Sequence, residues 1–199
     1  MAQLSMSKIS QNAEQKRQAI VLAAKGLFLG QGYGVTSMDT IAQEAGVTKQ
    51  TVYRYYPSKE HLFGAVMQEV RSSATPPYQF SNGTLQEELS HFGAQLLAFH
   101  LRPEALGLYR LMLTEGAHNQ DLFKTFQNAG PRSFVDPLSQ FLKSRCPKLD
   151  KPEFAAGMFC NMLLSPRNNI LLGQSGTMAK QQQLAHVKRL VEFILPSIK

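Results

Sequence analysis

The sequence predicts an all-α protein of about nine helices, divided into an N-terminal helix-turn-helix domain and a C-terminal helical domain. Between turn signals, apolar residues recur at i, i+3 and i+4, and no segment alternates as a strand would. The segment SSATPPYQFSNG at 72–83 is dense in turn formers and separates the two halves. With 199 residues and 43% hydrophobic content, each half can bury a core of its own.

Composition excludes several classes of protein. The 18% charged content is too low for a disordered chain, and two cysteines are too few for a disulfide scaffold. No run approaches the roughly 20 apolar residues that a membrane span needs, and the N-terminus lacks the apolar core of a secretion signal. We therefore expect a cytoplasmic protein without a membrane partner. Its net charge of +7 makes a polyanion the first partner to test.

The first domain is expected over 11–73, after a flexible polar tail at 1–10. Its first helix has a buried face that includes Ile20, Ala24 and Leu27, and a cluster of glycines ends it. Hydroxyl residues then stand where a helix N-cap is needed, before two short helices. The predicted helices of this domain are 12–31, one starting at Thr36 or Ser37, 49–55 and 59–73.

The second domain is expected over 84–199. Thr84 and Glu87 have the spacing of a capping box, which predicts a fifth helix at 84–101. Prolines divide the remainder, since each removes a helix hydrogen bond. The predicted elements are a sixth helix from Pro103 to about 117, a seventh at 119–145 broken near Gly130, an eighth from Asp150 kinked at Pro166, and a ninth ending at Pro196.

Residues 36–56 form the pattern that points to function. Gly46 can adopt the positive φ of a tight corner, and Ile41, Ala45 and Val52 supply an apolar seam between the two short helices. No acid occurs between Glu44 and Glu60, so we expect a face without repulsion toward DNA. That face presents hydroxyls, an amide and cations suited to phosphates and base edges: Thr48, Lys49, Gln50, Thr51, Tyr53, Arg54 and Tyr55.

At this point the sequence resembles a known family. The string GVTKQTVYRYYPSKEHLF at 46–63, with AAKGLFLGQGYGVTSMDTIAQEA before it, closely resembles the DNA-binding domain of the tetracycline-repressor (TetR) family. The resemblance covers about residues 15–65 and the spacing of four helices. Further along, LYRLMLTEGAHNQDLFKTFQNAGP at 108–131 is similar to the ligand domain of the AefR-like subgroup.

The resemblance implies a homodimer that binds operator double-stranded DNA and is released by a small-molecule effector of unknown identity. By position, it implies reading roles for residues 48–51 and phosphate contacts at the starts of the second and fourth helices and on the third. Tyr56 replaces the commoner Phe, so its hydroxyl needs a partner if the ring is buried. The implied phosphate contacts are Thr36, Ser37, Tyr53, Tyr55 and Lys59.

In the second domain, aromatic and methionine side chains are candidates for an effector pocket, although core packing explains most of them equally well. Neither a metal nor a cofactor is expected, because no histidine pair has ligand spacing, and no nucleophile has a nearby base. The candidate ligand-binding residues are Phe92, Phe99, Met112, Glu115, Phe126, Phe134, Met158, Asn161 and Met162, with Arg167 as a further polar candidate.

Dimerisation is assigned to the last two helices, which would form a symmetric four-helix interface with those of a second copy. The stripe that indicates this is Leu184, Val187, Val191 and Ile194, which keep a 3, 4, 3 spacing. The alternative is that this stripe packs on the fifth or seventh helix of the same chain. Two other classes of function also remain open. An enzyme with its site in the second domain would need an acid/base set, and a sequence-independent architectural protein would bind all DNA alike.

Overall fold

The computed structural model describes residues 2–73 and 78–198, with side chains from residue 11 onward. Within those ranges the backbone forms eleven helices and no strand, rather than about nine helices. None of these helices is long and apolar enough to cross a membrane. In chain order they are α1 Ala2–Gln31, α2 Met38–Glu44, α3 Lys49–Tyr55, α4 Lys59–Ser72, α5 Leu85–His100, α6 Pro103–Glu115, α7 Gln120–Ala129, α8 Arg132–Arg145, α9 Pro152–Leu163, α10 Ser165–Leu171 and α11 Lys180–Ile198.

The two additional helices arise because the predicted seventh and eighth helices are each divided into two separate helices. Gly130 and Pro131 separate α7 from α8, and the chain restarts at Ser165 with Pro166 in the first turn of α10. Proline is well tolerated there, because the first N–H groups of a helix have no intrahelical partner. Pro137, in contrast, lies inside α8 without ending it.

Two predicted helix boundaries were wrong. The helix α1 begins at Ala2 rather than near residue 12, so residues 2–10 of the expected tail are helical; their sequence has no Gly or Pro to interrupt the backbone. At the other end, α11 continues past Pro196 to Ile198. Leu195 and Ile198 are both buried, and burying these side chains offsets the hydrogen bond that the proline removes.

Backbone contacts divide the chain into two units, and the N-terminal unit is made of two segments. It contains the residues up to Val70 together with Leu108–Ala129. In its core, the rings of Phe28, Tyr33 and Phe63 pack together with centroids 5.2–6.0 Å apart. The predicted domains were 11–73 and 84–199, so the sequence analysis placed segment 108–129 in the second domain, whereas these contacts group it with the first.

The second unit contains the described residues of Arg71–Gly107 and of the chain from Gly130 onward. Its core lies among α5, α8, α9 and α11, with Leu97, Leu138 and Phe159 almost completely buried. The predicted capping box is confirmed: the Thr84 hydroxyl accepts a hydrogen bond from the Glu87 N–H, and the Glu87 carboxylate accepts one from the Thr84 N–H. Residues 74–77, inside the predicted linker, lie outside the described residues.

A buried carboxylate fixes the loop that leads into α5. Glu88 is only 2% exposed and accepts hydrogen bonds from the Tyr78 hydroxyl at 3.0 Å and the Ser81 N–H at 3.0 Å, and another from the Ser81 hydroxyl. The hydrogen bonds from the Ser81 side chain and backbone hold the pKa of Glu88 at about 2. Because that carboxylate is charged and fully bonded when folded, it stabilises this loop at neutral pH.

Replacing Glu88 by glutamine should lower the free energy of unfolding by about 1–3 kcal/mol at pH 7. Because the folded pKa lies below the ordinary value of 4.5, the stabilisation is complete above that value and disappears as pH falls toward 2. Urea unfolding of wild type and variant at several pH values measures the difference, with the exposed Glu153→Gln as control. An equal difference at pH 7 and pH 2.5 would contradict the assignment.

Candidate nucleic-acid interface

The corner between α2 and α3 has the geometry that the sequence predicts. Gly46 adopts φ 64°, and its N–H donates to the Gln43 carbonyl at 3.1 Å. The Val47 N–H donates to the Ala42 carbonyl at 3.0 Å, which closes the turn. Ile41 and Val52 are fully buried between the helices. The pair therefore forms a helix-turn-helix whose second helix keeps its outer face exposed.

Two hydroxyl residues cap these helices. The Ser37 hydroxyl accepts a hydrogen bond from the Thr40 N–H at 3.0 Å, and the Thr48 hydroxyl accepts one from the Thr51 N–H at 3.2 Å. Gln50 lies two positions after the Thr48 cap and is exposed, and its side chain bonds to none of the residues that the structure describes. Its amide is therefore available for a base edge.

Lys49 does not project alone from the start of α3. Its Nζ lies 2.8 Å from Asp39 Oδ1, although both side chains remain more than half exposed. The hydrogen bond to Asp39 raises the pKa of Lys49, so the amine is fully protonated at neutral pH. The prediction that this face carries no acid was wrong. Segment 45–59 contains none, but the fold places Asp39 of α2 beside Lys49, ten positions later in the sequence.

The end of α3 combines an exposed surface with an anchored ring. Tyr53 and Arg54 are exposed, and the Arg54 guanidinium lies 5.2 Å from the centre of the half-buried Tyr55 ring. Tyr56 is 5% exposed, and its hydroxyl accepts a hydrogen bond from Arg17 Nε at 3.3 Å. The hydroxyl thus has the partner that burial of the ring was expected to require.

Two residues that the resemblance assigned to phosphate are engaged inside the unit. Thr36 is 1% exposed, and its hydroxyl donates to the Gly32 carbonyl at 2.7 Å. Lys59 Nζ donates to the carbonyls of Tyr33 at 2.8 Å and Thr36 at 3.0 Å, and it lies 4.2 Å from the centre of the Tyr33 ring. Burial lowers the pKa of Lys59. Both side chains fix the α1–α2 loop, where the chain must turn back, instead of facing outward.

Replacing Lys59 by methionine should therefore destabilise the unit by about 1–3 kcal/mol, because two loop carbonyls lose their hydrogen-bond donor. Chemical denaturation followed by circular dichroism measures the loss, with the exposed Lys16→Met as control. If Lys59→Met leaves stability unchanged and reduces DNA binding evenly across sequences, Lys59 contacts phosphate after all.

A carboxylate that the sequence analysis missed, Glu60 on α4, joins the α1–α2 loop to the residue that caps α7. Glu60 Oε1 accepts a hydrogen bond from the Tyr33 hydroxyl at 2.8 Å and one from Asn119 Nδ2 at 3.4 Å. Asn119 also caps α7 by accepting from the Leu122 N–H at 2.9 Å. Burial alone would raise the pKa of Glu60, but its hydrogen bonds lower it overall. No local pattern could reveal this contact between residues 59 positions apart.

The residues predicted to bind an effector are divided between the two units. Met112, Glu115 and Phe126 belong to the N-terminal unit, and the other six belong to the second unit. Phe92 is 3% exposed and packs on the Phe80 ring at 5.3 Å, so it is a core residue. Met158 and Asn161 are exposed. They lie on the same face of α9 as the exposed Phe154, because they follow it at helical spacing. The structure places the rings of Phe99 and Phe134 each edge-to-face with the His100 ring, at 5.1 Å and 5.3 Å.

A groove of about 540 Å³ lies among α10, the loop after it and the start of α11. None of the nine predicted effector residues lines it. Its walls combine polar side chains with apolar ones, among them Asn169, Gln182, Arg189, Ile170 and Met178. Within the described residues, no group of three or more His, Cys, Asp or Glu side chains could hold a metal ion.

The predicted dimer stripe is mostly core of its own chain, as in the alternative interpretation. Val187, Val191 and Ile194 are at most 7% exposed within the core of the second unit, where α11 packs on α5 and α9. Of the four residues, only Leu184 is substantially exposed, at 49%. Phe193, two positions after Val191 and so on the opposite side of the helix, is 73% exposed.

These features define the class of protein. A helical chain whose N-terminal unit exposes the second helix of a helix-turn-helix, with an amide and hydroxyls at its start, is a DNA-binding regulator. Residues 20–66 match the family described as "Bacterial regulatory proteins, tetR family". Residues 87–196 match the domain family described as "AefR-like transcriptional repressor, C-terminal domain". The chain belongs to the TetR family of transcriptional regulators.

Individual relatives agree with this membership. The transcriptional activator FasR of Mycolicibacterium smegmatis is 38% identical over 55 residues, which are 28% of this chain and 25% of FasR. Matches to the first curated relatives thus span only about a quarter to a third of their length.

Solved structures match over nearly the whole chain. The flavonoid-responsive regulator FrrA is 31% identical, covering 92% of this chain and 97% of its own, with a TM-score of 0.77. A TetR-family regulator from Mesorhizobium loti is 27% identical over 93% of this chain and 97% of its own, with a TM-score of 0.74.

Proposed function

We propose that this protein is a repressor that binds operator DNA as a homodimer and releases it when a small molecule binds its helical domain. The observation that carries the proposal is the exposed start of α3, where Gln50 and Lys49 follow the Thr48 cap. The AefR-like match supports the sign of regulation, since that description is of a repressor.

Base reading is assigned to Lys49, Gln50, Thr51 and Arg54, with Tyr53 and Tyr55 on the phosphate backbone. Gln can bond an adenine edge bidentately, while Arg and Lys suit guanine or phosphate. Ser37 adds an exposed hydroxyl at the start of α2. Because Lys49 is paired with Asp39 without DNA, binding requires the lysine to change partners or to share its charge.

The homodimer is assigned to the outer faces of α9 and α11. Phe154 is 67% exposed and Met158 41% on α9, and Phe193 is 73% exposed on α11. Large aromatic side chains of this exposure are typical interface anchors. Dimers of helix-turn-helix proteins place two reading helices one DNA turn apart, so a dimer fits a palindromic operator.

Release by an effector needs a route to the reading helix. Segment 108–129 provides one, because Asn119 caps α7 and bonds Glu60 at the start of α4, and Glu60 also holds Tyr33 in the α1–α2 loop. A shift of this segment would therefore be transmitted to the loop that positions α2. FrrA is described as flavonoid-responsive, which supports a small organic effector for this chain.

The test is selection of bound sequences from random DNA, followed by titrations of a selected and a scrambled duplex across salt concentrations. We expect a palindromic site bound at least about 10³-fold more tightly than scrambled DNA at physiological salt. Equal affinity for both duplexes at every salt concentration would show an architectural DNA-binding protein and contradict the proposal.

A further inference from the structure

An exposed carboxylate lies on the face of the helix-turn-helix that the proposed function turns toward DNA. Asp39 belongs to the first turn of α2, and its side chain is 63% exposed. Its two oxygens lie 2.8 Å and 3.0 Å from the Nζ of Lys49, which begins α3. A carboxylate weakens the attraction of a protein surface to the phosphate backbone. The presence of Asp39 on this face is therefore a cost in binding to DNA in general.

The packing of the two helices sets this contact. The first turns of α2 and α3 meet because Gly46 turns the chain between the helices, while Ile41 and Val52 are buried in the seam. The side chain of Asp39 is short, so its oxygens can move little relative to α2. The carboxylate therefore restricts the ammonium of Lys49 to a small region at the start of α3.

The ion pair cancels the local charge but leaves a donor for DNA. An ammonium has three N–H donors, and the two oxygens of Asp39 accept from at most two of them. The third can bond an acceptor on a base edge, such as O6 or N7 of guanine. Exchanging the carboxylate for a phosphate gains little, in contrast, because one exposed ionic contact replaces another. Lys49 thus contributes where a base offers an acceptor and contributes little elsewhere.

We propose that Asp39 is a positioning residue for specificity, which holds the Lys49 ammonium toward a base acceptor and away from the phosphates. Asp39 stays beside the lysine in the operator complex, and the carboxylate and the base share its donors. Specificity is a difference between two affinities, so a device that weakens binding to the wrong DNA raises it. The inference rests on the proposed function, because it concerns the discrimination between operator and other DNA.

The experiment compares Asp39→Asn with the full-length wild type by fluorescence anisotropy, using the selected operator and a scrambled duplex. We expect the variant to bind scrambled DNA about sixfold or more tightly at about 0.1 M salt, because Lys49 is free to contact phosphate. The plot of log affinity for scrambled DNA against log salt should steepen by about 0.9 for each lysine that gains a phosphate. Operator affinity should rise by about twofold at most, because the gain in charge is offset by the loss of positioning. The ratio of the two affinities should therefore fall by about threefold or more.

The double variant Asp39→Asn/Lys49→Gln tests whether Asp39 acts through the lysine. Its two amides are neutral together, as the ion pair is, so scrambled DNA should bind within about twofold of wild type and with the same salt dependence. Operator affinity should fall by about tenfold or more, because the base contact is lost. Glu44→Gln is the matched control, since it removes an exposed carboxylate from the other end of α2 and should leave the affinity ratio unchanged.

Three results would overturn the role of Asp39. Equal tightening of both duplexes by Asp39→Asn would show that the carboxylate only adds charge. Weaker operator binding in this variant would show that Asp39 contacts a base itself. Tighter binding of scrambled DNA that persists in the double variant would show that Lys49 is not the residue held. Asp39→Ala is measured beside Asp39→Asn and should give the same changes, since both remove the carboxylate.

The same titrations separate this inference from the proposed function. A wild type that binds operator and scrambled DNA equally refutes the proposed function. A wild type that discriminates between them, with the same affinity ratio in Asp39→Asn, refutes the role of Asp39 alone.

Discussion

Replacing Phe193 by aspartate should separate the protein into monomers and lower its operator affinity by about 100-fold or more. The side chain is 73% exposed on the outer side of α11, so the substitution removes no core contact of its own chain. In a dimer it would place a carboxylate in an apolar interface, where an unpaired charge is strongly unfavourable. The loss of operator affinity follows because two linked reading heads bind far more tightly than one.

Light scattering at micromolar concentration and anisotropy with the selected operator measure the two effects together. Leu113→Asp is the matched control, since Leu113 is 59% exposed on α6 and the change introduces the same charge. A Phe193→Asp protein that keeps a dimeric mass would remove the α11 face from the interface. A wild type of monomeric mass, near 22 kDa, would refute the homodimer itself.

The second large effect is expected from Gln50→Ala. Loss of a bidentate contact to one base should reduce discrimination at one position of each half-site by about 1–3 kcal/mol, while binding to scrambled DNA stays the same. Gln43→Ala on α2 is the control, because Gln43 is an exposed amide of the preceding helix. Titrations against operators substituted one base pair at a time give the result.

If Gln50→Ala weakens every duplex by the same factor, the side chain contacts backbone and the reading role belongs elsewhere on α3. Asp39→Asn complements this experiment. Without the carboxylate, Lys49 is released from its 2.8 Å ion pair, and binding to all DNA sequences should strengthen.

Local signals made the helix-turn-helix and the start of α5 predictable. The caps at Ser37, Thr48 and Thr84 and the positive φ of Gly46 each depend on residues within a few positions of one another. Contacts between distant residues were not accessible in this way. Lys59 bonds carbonyls 23 and 26 positions earlier, so its inward direction is set by how α4 packs on the loop.

The last helix shows the same limit in another form. Spacing identified Val187 and Val191 as a buried stripe, but a stripe does not state which surface covers it. The covering surface is α5 and α9 of the same chain. Similarly, the aromatic residues of the second unit were recognisable as a set, whereas the contacts of Phe99 and Phe134 with the His100 ring required coordinates.

The two-segment construction of the N-terminal unit has a consequence for synthesis of the protein. Glu60 and Asn119 can meet only after the whole of α5 and α6 has been made, because these helices lie between them in the sequence. Closing such a long loop is slow compared with forming the local helix-turn-helix. On the ribosome, α2 and α3 can therefore form early, but their supporting loop is completed only after residue 129 has emerged. The nascent chain would thus form α3 before it forms the Glu60–Asn119 contact that supports the loop ahead of α2.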